Sequence, residues 1–294
     1  MEQKQNSVYI DGCFDLVHCG HFNAIRQASL LAPRLVVGVN SDEDIFITKG
    51  PSILDINERC AIIESCKWVT EVQRDTPYSV SEEVLDLYNC QSYAHGDDPC
   101  ITSDGIDICE KLREVGRFRM IKRTTGVSTT DITGRLLRLV CRDMAEVPKG
   151  IKEPPKQKFL QTAQRIRNFS LNIKGESSIR EPTASDTIVY YQASCDLYHP
   201  GVIERLRRAK EQGSYLYVGL WSDEMTRYYR GDQFPLMCLQ ERLLMVMACK
   251  YVDDIVIEAP FIITEDLIKS LNISKVVNVC SNDDTVLPEH EKVD

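Results

Sequence analysis

The chain contains two copies of one sequence pattern, and this duplication limits its fold more than any other feature. The segment VYIDGCFDLVHCGH, which begins at Val8, matches VYYQASCDLYHPGV, which begins at Val189, an offset of 181 residues. After a two-residue insertion, NERCAIIESCKWVTEV at Asn57 aligns with QERLLMVMACKYVDDI at Gln240, an offset of 183 residues. Because this period is far longer than a solenoid unit, the sequence predicts duplication of a whole domain.

The segment between the copies has the composition of a linker. It contains EVPKGIKEPPKQKF and then FLQTAQRIRNF, whose apolar residues recur every three to four positions, as in an amphipathic helix. We therefore predict a catalytic domain over residues 1–141, a linker with one docking helix over 142–187, and a degenerate, shortened domain over 188–294. A chain of 294 residues is long enough for two such domains.

Short apolar segments alternate with helical patterns in the first copy. Val8–Asp11 and RLVVGVN at Arg34 have the composition of buried strands, and a helix is expected from about Gly20 to Leu31. Another helix is expected to begin at Asn57, taken as its N-cap residue. This alternation predicts an α/β fold with two tandem Rossmann-like domains, each a mostly parallel sheet with helices on both faces.

Composition excludes several classes of protein. A net charge of −9 argues against a nucleic-acid coat or a strongly basic membrane-surface protein. No apolar run approaches the roughly 18 residues that span a bilayer, and Met1–Ser7 lacks the apolar core of a signal peptide. The 12 cysteines include no CxxC pair, so we expect reduced thiols in a cytoplasmic protein.

Two histidines follow the first predicted strand, at the edge where parallel sheets bind their ligands. His18 and His21 are three residues apart at the start of a helix, which places them on one face. Gly20 would let a ligand approach the backbone, and the first N–H groups of the helix favour a phosphate. A metal site and simple helix capping are the alternatives for this pair.

Three further motifs follow other predicted strands. TKGP places Lys49 in a flexible loop, and AHGDD places His95 beside groups that suit a nucleobase. KRTTGVSTTD contains Arg123, which can bind a phosphate through two hydrogen bonds, and then hydroxyl groups at a helix N-terminus. Together the motifs predict transfer between two phosphorylated partners, with catalysis by positioning and charge stabilisation.

The ordered motifs GCFDLVHCGH, KGP, HGDD and RTTGVSTTD resemble the nucleotidyltransferase superfamily marked by HxGH, and within it the cytidylyltransferases. The tandem copies and FLQTAQRI resemble the branch that uses phosphoethanolamine, whereas the choline branch has one such domain and a long amphipathic helix. The resemblance, over about Val8 to Val277, implies that CTP and phosphoethanolamine give CDP-ethanolamine and pyrophosphate in phosphatidylethanolamine biosynthesis. It also implies Mg²⁺ on the CTP phosphates, with no metal ligand from protein side chains.

By motif position, the resemblance implies four catalytic residues: His18, His21, Lys49 and Arg123. It implies that CTP contacts Gly12, Cys13, Phe14, His18, Gly20, His21, Lys49, His95, Gly96, Asp97, Arg123, Thr124, Gly126, Val127, Ser128 and Thr129. Phosphoethanolamine is expected at Asp11, Lys49 and Tyr78, since an ammonium group suits a carboxylate and an aromatic face. A strand-end turn is the alternative role for Asp11.

The second copy lacks parts of this site. His199 and Gly201 persist, but Val202 replaces the second histidine and Arg230 stands opposite Lys49. We expect this copy to be structural or regulatory, and Trp221 to be a packing residue. Two alternatives stay open for the whole chain: a CTP-dependent transferase for another small phosphate such as phosphocholine, and a catalytically silent nucleotide-binding regulator. The sequence predicts no nucleic-acid partner; the resemblance suggests a homodimer and peripheral contact with the endoplasmic reticulum.

Overall fold

The computed structural model describes residues 6–97, 107–141 and 180–278. The elements of the first half are β1 (Ser7–Gly12), α1 (Cys19–Ser29), β2 (Arg34–Asn40), α2 (Asp42–Lys49), α3 (Ile56–Glu64), β3 (Glu71–Thr76), α4 (Glu82–Leu87), β4 (Ser92–His95), α5 (Ile108–Glu114), β5 (Phe118–Met120) and α6 (Thr129–Cys141). Those of the second half are β6 (Ile188–Ala193), α7 (Pro200–Lys210), β7 (Tyr215–Leu220), α8 (Asp223–Arg230), α9 (Leu239–Ala248), β8 (Asp254–Ile257), α10 (Glu265–Ser270) and β9 (Lys275–Val276).

Each half contains a parallel sheet, which confirms the predicted fold class. The strand orders are β3-β2-β1-β4-β5 and β8-β7-β6-β9. Successive residues of β1 bury opposite faces: Val8 and Ile10 join the large central core, while Tyr9 joins a separate cluster with residues of α4 and α5. Helices therefore cover both faces, and the sheet brings the carboxyl ends of β1, β2 and β4 to one edge.

The two halves contact each other through equivalent residues. Cys66 and Cys249, related by the offset of the repeat, form an antiparallel bridge with free thiols. Beside them the Lys67 N–H donates to the Ala248 carbonyl (2.8 Å) and the Lys250 N–H to that of Ser65 (2.7 Å). Because each bond has its counterpart in the other copy, the contact is self-complementary, like that of a two-fold dimer. One buried apolar core extends through both halves.

The structure corrects two predictions of local structure. The helix expected to begin with Asn57 as its N-cap is instead capped by Asp55, which accepts a hydrogen bond from the Glu58 N–H (2.9 Å). Lys49 is the last residue of α2 and not part of a flexible loop, and Gly50 ends the helix with φ of 92°. The predicted docking helix lies outside the described residues. Among the residues described, no helix is long and apolar enough to cross a bilayer.

Candidate active site

The two histidines of the HCGH motif lie side by side at the start of α1. His18 is the N-cap residue, and its Nδ1 accepts a hydrogen bond from the Gly20 N–H (3.1 Å). His21 Nδ1 accepts in turn from the His18 N–H (3.3 Å), and the ring centroids are 3.9 Å apart. A neutral imidazole carries one proton, so an accepting Nδ1 leaves that proton on Nε2. The capping hydrogen bonds therefore orient both side chains so that each Nε2–H is a donor.

Both histidines are held in the neutral state. Burial lowers the pKa of His18 to about 4, and the charge of Arg123 acts in the same direction. Burial also lowers the pKa of His21 well below its usual range, and here His18, Lys49 and Arg123 all add to the effect. The charges of Lys49 and Arg123 thus reach His21. Two neutral donors and two cations suit an anionic ligand of high charge.

Lys49 and Tyr78 lie together at the rim of the site. The Lys49 ammonium is 5.6 Å from the centroid of the Tyr78 ring, within the range of a cation–π contact. The Tyr78 N–H donates to the Asp44 carboxylate (3.2 Å), which fixes the β3–α4 connection against α2. The structure therefore brings together two of the three residues predicted for phosphoethanolamine.

Asp11, the third of them, is the second-last residue of β1 and lies in a polar network. Its carboxylate accepts hydrogen bonds from the Tyr93 hydroxyl (2.7 Å) and the Asn40 amide (3.2 Å). Burial raises the pKa of the Asp11 carboxyl, and both hydrogen bonds oppose that rise. The Tyr93 ring also stacks on His95, with centroids 5.7 Å apart. Sequence reasoning missed both Tyr93 and Asn40. Asn40 is the last residue of β2, which was a usable signal, whereas Tyr93 is the second residue of β4 and gave none.

The loop between β1 and α1 is supported from behind. Phe14 is buried with φ of 51°, and its ring contacts His21 edge to face at 5.6 Å. The fully buried Arg59 donates to the carbonyls of Cys13 (2.6 Å) and Asn40 (2.9 Å). Arg59 was also missed by the sequence analysis. Its signal was an arginine at the same place in both copies, since Arg242 donates to the carbonyls of the equivalent positions.

The segment from Arg123 to Thr129 covers the start of α1. Thr124 Oγ1 accepts from the Asn23 amide (2.9 Å), and Gly126 has φ of 84°, a conformation that favours glycine. Ser128 Oγ accepts from the Asp131 N–H (3.1 Å), so the predicted capping contact forms at the N-terminus of α6. The loop therefore lies where the sequence predicted it, between two helix N-termini.

Gly20 also has a structural reason, apart from the predicted approach of a ligand to its backbone. A Cβ atom there would lie 2.9 Å from His18 Cε1 and Nδ1, and 3.1 Å from Val127 Cγ1. Glycine is thus required by the packing of the His18 ring and the Arg123–Thr129 segment on the first turn of α1. The other predicted nucleobase residues follow β4: His95 Nδ1 is 3.2 Å from the Gly96 carbonyl, and Asp97 is exposed.

The equivalent region of the second half is filled by aromatic rings. Tyr229 and Phe261 stack with centroids 3.6 Å apart, and Trp221 packs on Phe261 at 5.2 Å, as predicted for a packing residue. Gln192, which replaces Asp11, donates to the Phe261 carbonyl (2.6 Å). His199 keeps the capping bond to Gly201 (3.2 Å), with Val202 behind it. The second half therefore keeps the capped helix start, but aromatic side chains occupy the region equivalent to Asp11, Asn40 and Tyr78.

No group of three or more His, Cys, Asp or Glu side chains that could hold a metal ion occurs among the described residues. The carboxylate nearest the HCGH motif in the sequence, Asp15, accepts the N–H groups of Ile53 (2.8 Å) and Leu54 (3.0 Å) and is used structurally. The Nε2–H groups of His18 and His21 are donors of the kind that suit phosphate oxygens.

The chain is similar to known proteins through both halves. The Cytidylyltransferase-like family matches residues 9–135 and 190–290, one segment in each half. Ethanolamine-phosphate cytidylyltransferase of Dictyostelium discoideum is 41% identical over 99% of this chain and 83% of its own length. That of Arabidopsis thaliana is 40% identical over 96% of this chain and 72% of its own.

A choline-phosphate cytidylyltransferase provides the contrast. The protein of that name from Saccharomyces cerevisiae is 38% identical, but the match covers only 45% of this chain and 31% of the yeast protein. Similarity through both halves thus separates the two groups. The chain belongs to the ethanolamine-phosphate cytidylyltransferases, within the cytidylyltransferase-like family, and is a nucleotidyltransferase.

Proposed function

We propose that the first half transfers the cytidylyl group of CTP to phosphoethanolamine, giving CDP-ethanolamine and pyrophosphate in phosphatidylethanolamine biosynthesis. The observation that carries the proposal is the pair of neutral Nε2–H donors at His18 and His21, within reach of the Arg123 charge. Relatives named for this reaction match the chain through both halves, which supports phosphoethanolamine over phosphocholine.

In the proposed reaction, a phosphate oxygen of phosphoethanolamine attacks the α-phosphorus of CTP. A new P–O bond forms there while the bond to the bridging oxygen breaks, and pyrophosphate leaves with the electron pair. His18 and His21 donate hydrogen bonds to the oxygens on which negative charge increases. Arg123 holds the triphosphate, and Lys49 lies between CTP and the incoming phosphate. Fixed donors of this kind lower a barrier without reorganising during the reaction.

Magnesium belongs to the same proposal. Bound to the CTP phosphates, it would neutralise part of the triphosphate charge and make pyrophosphate a better leaving group. The protein's own contribution is a set of N–H and cationic donors. The backbone N–H groups at the starts of α1 and α6 and the Arg123 guanidinium would bind the phosphate oxygens that the metal leaves free.

For the second substrate, we assign the ammonium end to Asp11 and Tyr78. The Asp11 carboxylate keeps lone pairs beyond those used by Tyr93 and Asn40, and the Tyr78 face stands beside Lys49. Lys49 would then bind the phosphate end of the same molecule. A trimethylated ammonium cannot donate hydrogen bonds to Asp11, so phosphocholine should react more slowly.

A pyrophosphate-release assay tests the proposal directly. With CTP and Mg²⁺, phosphoethanolamine should support turnover at least 10-fold faster than phosphocholine, the loss expected when a charge-assisted hydrogen bond is removed. Equal rates would contradict the choice of phosphoethanolamine. No pyrophosphate with either substrate would instead support a silent nucleotide-binding regulator. Sedimentation of the full chain and flotation with vesicles would test the homodimer and the peripheral contact with the endoplasmic reticulum.

A further inference from the structure

An ion pair joins α6 of the first half to α9 of the second. The Arg135 guanidinium donates two parallel hydrogen bonds to the Glu241 carboxylate, at 2.8 and 3.1 Å. Only 28% of the Arg135 side chain and 12% of the Glu241 side chain are exposed. A bidentate pair shielded to this degree fixes the distance and the orientation of α6 relative to α9, which an exposed surface pair does not.

The first-half end of this pair lies on the helix that begins at the proposed triphosphate loop. Arg135 is six residues after Thr129, about 9 Å along a helix that rises 1.5 Å per residue. Ile132 is the one fully buried side chain among those described in α6; Leu136 and Leu139 are partly buried. Arg135 thus adds a directional contact to the few apolar side chains that hold the described part of α6.

The second-half end of the pair is rigid. Glu241 accepts from the Cys238 N–H (2.8 Å) and caps α9, which packs directly on α1. Arg135 also donates to the Leu236 carbonyl (2.9 Å), in a loop that Asp196 holds by accepting the Leu236 N–H (2.9 Å). The Glu241 charge is close enough to act on the buried imidazole of His18. The Glu241 carboxylate therefore connects α6 with α9, the helix that packs on α1. Both α1 and α6 begin at the proposed phosphate site.

We propose that Glu241 is a positioning residue for the reaction of the first half, setting the N-terminus of α6 relative to His18 and His21 through Arg135. The degenerate copy would then supply a fixed support that the catalytic copy lacks. The inference rests on the proposed function, because it takes the start of α6 to bind the CTP triphosphate. It assigns this role to one side chain of the half that lacks the second histidine.

The equivalent residue of the first half provides a matched control. Glu58 occupies the same helix position in α3 as Glu241 does in α9, and its carboxylate accepts from the Asp55 N–H (3.1 Å). Glu58 is half-buried, and the N–H group that its carboxylate accepts belongs to the N-cap residue of its own helix. Glutamine at either position retains an oxygen for capping, but only Glu241→Gln removes the charge that Arg135 binds.

Steady-state kinetics of the full chain with CTP, Mg²⁺ and phosphoethanolamine test the inference. Glu241→Gln should lower kcat/KM for CTP about 10- to 100-fold, since small misplacements remote from the chemistry can cost that much. The KM for phosphoethanolamine should stay within about twofold of wild type, because the predicted contacts at Asp11, Lys49 and Tyr78 are untouched, and Glu58→Gln should match wild type. Arg135→Gln leaves the α9 cap intact and should reproduce the loss, and the double variant should be no worse than either single variant.

Three results would overturn the inference. These are a wild-type kcat/KM for CTP in Glu241→Gln, an equal rise in KM for both substrates together with a lower melting temperature, or the same fall in kcat/KM in Glu58→Gln. If Glu241→Gln fails to fold, Arg135→Gln decides the matter alone. Inactivity of the wild-type chain would overturn the proposed function instead, so the two failures are distinguishable.

Discussion

His18 and His21 orient each other through the backbone of one helical turn. His21 Nδ1 accepts the N–H of His18, while His18 Nδ1 accepts the N–H of Gly20. The capping bonds consume the δ nitrogens and leave both ε nitrogens as donors. The hydrogen bonds that stabilise the start of the helix therefore also fix the tautomer that the proposed phosphate binding requires.

His18→Asn separates the capping role from the donor role. Asparagine is a good N-cap residue, and its oxygen can replace Nδ1 as the acceptor for Gly20, but no group replaces Nε2–H. We expect kcat to fall by about 10² to 10³, the usual effect of losing one donor to a developing charge. The melting temperature should stay near that of the wild type. Initial rates of pyrophosphate release and thermal unfolding measure the two effects.

The matched control is His199→Asn, which changes the equivalent cap of α7. His199 also accepts a hydrogen bond from the glycine two residues on (3.2 Å), so the local change is the same. Its rate should equal that of the wild type. Full activity of His18→Asn would show that the His18 imidazole takes no part in the reaction.

Gly20→Ala should inactivate the enzyme by displacing a side chain, although the new methyl group has no chemistry of its own. The added Cβ would lie 2.9 Å from the His18 ring and 3.1 Å from Val127, and both are buried. Such a clash must move the ring or the loop, and we expect at least a 10²-fold loss of kcat/KM. Gly201→Ala is the control, because the exposed His199 ring can turn toward solvent. Equal rates in both variants would show that the His18 ring tolerates the shift.

The low pKa of His18 predicts how stability depends on pH. Its pKa is about 4 in the folded protein, against an ordinary value of 6.5. Between these values the unfolded chain binds more protons, so the free energy of unfolding falls as pH falls through this window. The stabilisation is complete above about pH 6.5, and about 1 to 2 kcal/mol should be lost between pH 7 and pH 5.

Urea unfolding of the wild type and His18→Asn at both pH values measures that loss. The variant lacks the imidazole but keeps every carboxylate, so the difference between the two proteins isolates the contribution of His18. The wild type should lose more stability than the variant on acidification. Parallel losses would mean that His18 titrates normally in the folded state.

The sequence predicted the elements with clear apolar periodicity and missed those without it. Helix α2 buries only Ile45 among its described residues, while Phe46 and Ile47 are exposed, so DEDIFITK carries no core-facing pattern. Lys49 was consequently assigned to a loop. The start of α3 was visible as Asp55 followed three residues later by Glu58, a capping box, but Asn57 was chosen instead.

The site was predictable where residues stand at strand ends in recognisable motifs. The supporting groups were not, because their roles depend on contacts between distant segments. An arginine such as Arg59 reads as a surface residue, yet it is fully buried and joins two loops. Arg135 and Glu241 are likewise separated by 106 positions, and only the folded chain shows that they pair.

Restoring the second histidine should not create a second active site. Val202→His would rebuild the HxGH pattern, yet Trp221, Tyr229 and Phe261 fill the place of the second substrate. In the slow His18→Asn background, we expect Val202→His to add no pyrophosphate release beyond that of His18→Asn alone. Trp221→Asn should open space, and Phe261→Tyr would supply the hydroxyl of Tyr78, but the combination should still add no turnover, since Gln192 replaces the carboxylate of Asp11. Turnover above that of His18→Asn alone, in either combination, would show that the second half needs only these substitutions to become catalytic.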